Sequence, residues 1–230
     1  ASISAELLDP IAIRITSQRA LEAREPDGGD VVELDHVFLI VQDEATARAM
    51  MRAAGLRVNY SRAHPGQGTR NICACLDDMF FELLWADGTD ASEETGRIGL
   101  TARCGGAGSP IGLSWRGETD LPCDAYAAPF LPEGLSIPVA QMSRSLAAPF
   151  VFQTPGGTPP IDRTDGLTGT RQSPDIATLG ALEIAVPALE AVAPLIGAFD
   201  RVSFVAGPPQ ITATLLAPNG TRAAEFTWIS

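Results

Sequence analysis

The pattern from Leu34 to Val41 predicts a strand whose two faces differ in kind. Val37, Leu39 and Val41 are aliphatic on one side, while Leu34, His36, Phe38 and Ile40 occupy the other. The period then lengthens. Asp43 is placed to cap a helix ending near Gly55, with Ala47, Met50, Met51 and Ala54 at i, i+3, i+4 and i+7. Three more strands are predicted at 56–62, 70–76 and 79–85, the last two joined at Asp77-Asp78 by a hairpin-length turn. Residues 33–85 therefore read as β-α-β-β-β.

The same element order recurs near the C-terminus. Leu182, Ile184 and Val186 form an aliphatic strand face, with Ala181, Glu183 and Ala185 opposite. Val192, Leu195, Ile196 and Phe199 make a helical stripe, which Pro194 shortens or kinks. Strands follow at 202–205, 211–216 and 222–228, the last pair joined at Asn219-Gly220, a strong hairpin signal. Phe81-Glu82-Leu83-Leu84-Trp85 and Ala224-Glu225-Phe226-Thr227-Trp228 share Glu-x-x-Trp. The helical stripes correspond at an offset of 145 residues (Ala47 to Val192) and the glutamates at 143 (Glu82 to Glu225). Such agreement predicts a degenerate internal duplication.

Four segments result: a lead-in over 1–32, a first βαβββ module over 33–85, an insertion over 86–177 and a second module over 178–230. The lead-in holds a helix candidate, Ile15 to Arg24, and ends in the breaker Glu25-Pro26-Asp27-Gly28-Gly29-Asp30. The insertion is rich in Gly, Pro, Ser and Thr, with strand candidates at Ile111 to Arg116 and Phe150 to Phe152. A structureless connection this long would be abnormal, so it is expected to fold over the main sheet.

Composition narrows the function classes. The 230 residues are 45% hydrophobic, enough for a substantial core. No apolar run reaches the roughly 20 residues that span a bilayer, and no signal peptide is recognisable. The chain is expected to be soluble and cytoplasmic. Sixteen basic against 28 acidic residues give a net charge of −12, which removes the electrostatic drive for nucleic-acid binding and mildly favours cationic ligands. Every basic residue is Arg, so lysine Schiff-base and P-loop chemistry are excluded. Two histidines, His36 and His64, cannot make a three-His zinc site. Cys73, Cys75, Cys104 and Cys123 lack Cys-x-x-Cys spacing and read as reduced thiols, Cys73 and Cys75 as small buried hydrophobes.

By strand parity Phe81, Leu83 and Trp85 face the helix, turning Phe80, Glu82 and Leu84 away; Glu225 and Thr227 turn away likewise. If the two sheets curve around one space, His36, Glu82 and Glu225 project into it. A carboxylate there needs a proton, an arginine or a metal.

The run Leu34-Asp35-His36-Val37, then Val41-x-Asp43, a helix, His64-Pro65-Gly66-Gln67-Gly68-Thr69-Arg70-Asn71 and Phe81-Glu82-Leu83-Leu84 resembles the glyoxalase-like proteins of the vicinal oxygen chelate superfamily. That superfamily includes glyoxalase I, extradiol dioxygenases and bleomycin-resistance proteins. The resemblance is close over 33–85, architectural over 178–230 and absent over 86–177. It implies an α+β fold of two βαβββ modules around a cavity. It also implies metal positions at His36, Glu82 and Glu225, with the fourth on Ala181, which cannot ligate; Glu183 is two residues on. Such a donor set would suit Mn, Fe, Ni, Zn or Mg, with Glu225 and Glu183 as catalytic carboxylates. The alternative is a persisting scaffold whose metal site has decayed, His36 and Glu82 bonding each other.

The glycines after His64 let the backbone approach a ligand, making His64, Gln67, Arg70 and Asn71 candidate substrate contacts, with Arg70 for a carboxylate. Their alternative is a loop fixed by its own hydrogen bonds. Two functions of different class follow. One is a divalent-metal-dependent lyase or isomerase acting on a substrate with vicinal oxygens, with an extradiol-type dioxygenase less favoured. The other is a metal-free small-molecule binding or drug-sequestering protein. Either takes a small-molecule ligand, no nucleic acid and no membrane, and is compatible with a homodimer.

Overall fold

The computed structural model describes residues 32–155, 157–164, 166 and 175–229. The helix candidate at Ile15 to Arg24 and the breaker after it lie outside the described residues.

The first module forms with small shifts at its boundaries. Strand β1 (Glu33–Ile40) leads into helix α1 (Glu44–Ala53), followed by β2 (Tyr60–His64), β3 (Thr69–Cys75) and β4 (Phe80–Ala86). Asp43 caps α1, its carboxylate accepting from the Thr46 N–H at 2.8 Å, and Gly55 exits the helix at φ 70°. Helix α1 buries Ala47 and Met51, and β1 pairs with β4 in parallel, as a helical crossover requires.

A second four-stranded half follows. After two short helices, α2 (Glu93–Arg97) and α3 (Leu100–Cys104), come β5 (Ile111–Arg116), β6 (Cys123–Tyr126), β7 (Ile137–Ala140) and β8 (Phe150–Gln153). The eight strands make one sheet ordered β2-β3-β4-β1-β5-β8-β7-β6. The order reads the same from either edge: β1 pairs antiparallel with β5, and each has its own module's last strand parallel beside it. The architecture is α+β with paired modules, but the half that completes the large sheet comes from residues 111–153. This corrects both the reading of 86–177 as an insertion and the pairing of 33–85 with 178–230.

Residues 178–229 build a separate sheet instead. Strands β9 (Thr178–Val186), β10 (Val202–Ala206), β11 (Gln210–Leu216) and β12 (Arg222–Ile229) are ordered β10-β9-β11-β12. The predicted helix is a 3-10 helix over Leu189–Leu195 containing Pro194, which cannot sustain an α-helical ladder. Element order was repeated, but pairing order was not. The two Glu-x-x-Trp strands pack against each other: the Phe81 ring lies 5.1 Å from Phe226 and 5.7 Å from Trp228.

One core joins these parts. Val37, Leu39, Phe81, Leu83, Leu113 and Trp115 of the large sheet share it with Leu182, Ile184, Ile211, Phe226 and Trp228 of the small one. The opposite, concave face of the large sheet carries a second cluster, with Phe38, Leu84, Ile137 and Phe150. That face opens into the cavity. Among the described residues no helix is long and apolar enough to cross a membrane.

Candidate functional site

The alternation of β1 breaks where the site begins. In the β1–β5 register Leu34 opposes Trp115 and His36 opposes Ser114, leaving Asp35 as the extra residue of a bulge. Leu34 thus enters the core, while Asp35 and His36 in succession line the cavity.

The bulge assembles a row of buried charges. Arg116 Nη1 donates to Asp35 Oδ2 at 2.7 Å, and Asp35 Oδ1 meets His36 Nδ1 at 2.7 Å. His36 Nε2 lies 3.3 Å from Glu82 Oε2, and Asn71 Nδ2 donates to Glu82 Oε1 at 2.7 Å. Burial alone would raise the Asp35 pKa, but His36, Arg116 and Thr154 outweigh it and bring it to about 2. Phe80 stacks on the His36 ring at 4.3 Å, and Phe152 meets its edge at 5.3 Å.

A second buried chain runs through the loop after β2. Gln67 Nε2 donates to Thr69 Oγ1 at 2.7 Å, and the same hydroxyl lies 3.0 Å from His64 Nδ1. Tyr126 from β6 donates to Gln67 Oε1 at 3.1 Å and is 3.0 Å from the Thr95 hydroxyl, tying the two modules together. Burial lowers the His64 pKa against the raising influence of Glu82, and the Arg62 charge adds to the lowering.

Between these chains lies a cavity of about 490 Å³, walled by Phe38, Tyr60, Phe80, Phe130, Phe150 and Phe152. This size and character suit a small organic molecule. Of the sequence candidates, the fold brings His36, Glu82, His64, Gln67 and Asn71 to this cavity.

Three others lie elsewhere. Glu225 and Glu183 are exposed on the small sheet, Glu225 pairing with Arg222 at 2.7 Å. Because Phe81 and Phe226 meet across the core, Glu82 and Glu225 point away from each other, so Glu225 cannot complete a ligand set. Arg70 is exposed, with its Nε 3.7 Å from Asp87. In the β2–β3 register Arg62 opposes Asn71 and Ala63 opposes Arg70, so Arg62 rather than Arg70 lines the cavity. Adjacent strand residues such as Arg70 and Asn71 cannot both face inward; that parity was readable. Asp35 and Arg116 gave no such signal, since a bulge and a tertiary pair placed them. Cys73 and Cys75 are buried beneath the cavity floor beside Phe80 and Tyr60, and burial raises the Cys73 pKa.

The donor set does not fit a resident divalent metal. The second module sets Ser114, Phe150 and Phe152 where ligands from its strands would stand, and Phe38 covers Gly112 so closely that a Cβ there would lie 2.0 Å from the ring. Among the described residues no three His, Cys, Asp or Glu side chains gather into a site. His36 Nδ1 and Glu82 Oε1 have protein partners, which leaves His36 Nε2 and Glu82 Oε2 as the donors these two residues offer the cavity.

The family model described as a glyoxalase-like domain matches residues 34–129, a span running from β1 through β6. Over residues 34–129 the chain is therefore similar to a glyoxalase-like domain. The match carries the glyoxalase-like domain across the β1–β5 junction, in keeping with the strand order. No curated protein matches the chain. Among solved structures, a variant of methylmalonyl-CoA epimerase from Streptomyces coelicolor is 14% identical, covering 54% of this chain and 96% of that one at a TM-score of 0.37. A hypothetical protein from Staphylococcus aureus is 12% identical over 86% of this chain and 85% of that one, at a TM-score of 0.42. A mutant of 4-hydroxymandelate synthase from S. coelicolor is 14% identical over 85% and 62%, at 0.41. Similarity at this level carries no argument about activity.

Proposed function

We propose that the protein binds a small, largely apolar molecule in this cavity, without a resident metal, seating one hydroxyl or amine on the His36–Glu82 pair. The observation that carries the reading is the 3.3 Å separation of His36 Nε2 and Glu82 Oε2 at the floor of an aromatic cavity. That is longer than the 2.7–2.9 Å of a strong charge-assisted bond. With His36 Nδ1–H given to the Asp35 carboxylate, the imidazolium form donates its Nε2–H to a hydroxyl placed there, which in turn donates to Glu82, giving both a better partner. Asp35 and Arg116 hold the ring, and Asn71 holds the carboxylate, so the receiving groups are fixed beforehand.

Of the two functions raised by the sequence, this is the metal-free binding protein. The metal-dependent lyase or isomerase is less supported, because Glu225 and Glu183 are outside the cavity and the second module's wall is aromatic.

Titration with 2-naphthol and with naphthalene tests the reading. The hydroxyl is expected to improve affinity, and Glu82→Gln to lower 2-naphthol affinity roughly tenfold with naphthalene unchanged, the worth of a hydrogen bond to a charged group. Added Mn²⁺ or Ni²⁺ is expected to leave both affinities unaltered. Binding that depends on either metal, or an indifferent Glu82→Gln, would contradict the proposal.

A further inference from the structure

The cavity has a second polar end that the floor pair does not use. Arg62 lines its mouth from β2, with its guanidinium 5.3 Å above the Phe130 ring. Its main chain is fixed, since the Arg62 N–H donates to Asn71 Oδ1 at 3.0 Å. Arg48, Arg97, Arg144, Arg201 and Arg222 each face a carboxylate at 2.6–2.7 Å. Arg62 has no such partner among the described residues. In a chain of net charge −12, an arginine left without a carboxylate at a cavity mouth stands apart.

His64 stands two residues further along the same face of β2, its ring 5.2 Å from Phe130. Its Nδ1 is taken by Thr69, and Nε2 has no partner among the described residues. Thr69 Oγ1 already accepts from Gln67 Nε2. Donation of its own proton to His64 Nδ1 leaves the imidazole N–H on Nε2. Phe130 thus neighbours both the Arg62 guanidinium and the His64 ring.

We infer that the ligand is an apolar acid whose carboxylate docks on Arg62 and the His64 Nε2–H, while its other polar group rests on His36 and Glu82. This deepens the binding proposal above and rests on it. The planar fork of Arg62 suits a carboxylate, and Phe130 shields one of its faces from water. Asp162 and Arg163 also border the cavity, from the segment after β8, and place one charge of each sign there. Asp35 and Glu82, which also line the cavity, are held at its floor by Arg116, His36 and Asn71, so Arg62 and His64 set the preference at the mouth. The net acidity of the chain favours cations at long range; the mouth selects an anion at short range.

The experiment compares 6-hydroxy-2-naphthoate with 2-naphthol as probes of the intact protein. The acid is expected to bind at least about tenfold more tightly, with the advantage shrinking as salt is raised. Arg62→Met is expected to erase that advantage while leaving 2-naphthol affinity within about twofold, and Arg62→Lys to keep only part of it. Arg62 is exposed, so these variants should fold. Binding of 2-naphthol with no gain from the carboxylate would overturn this inference and leave the floor reading standing. An equal loss of both probes in Arg62→Met would also overturn it. Failure of both probes to bind the unaltered protein would overturn both readings.

Discussion

Arg103→Met is expected to destabilise the protein by about 3–5 kcal/mol, since it leaves several buried carbonyls without a donor at about 1–3 kcal/mol each. Arg103 is buried, and among the described residues its guanidinium meets no carboxylate. Nη1 donates to the carbonyls of Ser109, Leu146 and Ala148, and Nη2 to those of Ser143 and Ser145, at 2.7–3.1 Å. One side chain from α3 therefore pins both the entrance to β5 and the connection from β7 to β8. Burial lowers its pKa to about 10, so it remains charged at neutral pH. Methionine would fill much of the volume but take the donor from the carbonyls of Ser109, Ser143 and Ala148, while those of Leu146 and Ser145 keep the Ser109 and Ala148 N–H groups. Urea denaturation of the two proteins measures the loss. Arg103→Lys should recover part of it, and a change below about 1 kcal/mol in the methionine variant would refute the assignment.

Asp35→Asn is expected to be comparably damaging, by about 3–5 kcal/mol, because it leaves the buried Arg116 without its closest carboxylate. The pH dependence follows from the same contact. The Asp35 pKa is about 2 in the folded protein against an ordinary 3.8, so its contribution is fully present above pH 3.8. It is lost as pH falls from there through 2. The shift corresponds to about 2 kcal/mol. Unfolding free energies measured between pH 6 and pH 2 should show that loss in the wild type and lack it in Asp35→Asn. An unchanged acid limb would show that Asp35 is not held as an anion.

The first module was legible because its periodicities are clean. Alternation placed His36 and Glu82 on one face, and the spacing from Ala47 to Ala54 gave the helix. Hydrophobic period reports that a face is buried, not what buries it. The apolar faces of β4 and β12 therefore looked like two copies of one module, although Phe81 and Trp228 touch. The true second module was hidden for a related reason. Strand β5 is buried at every position, and β6 to β8 have only four residues each, too few for a period to declare itself. Asp35 was invisible because a bulge depends on a partner strand. Arg62 was readable in principle, once Asn71 was set facing inward.

A crystal structure of the protein with 2-naphthol tests the central claim most directly. The rings are predicted between Phe38, Phe80 and Phe152, with the hydroxyl oxygen within about 3.2 Å of both Glu82 and His36 Nε2 and no metal ion beside it. A naphthol seated elsewhere, or bound through a metal held by His36, would contradict the account.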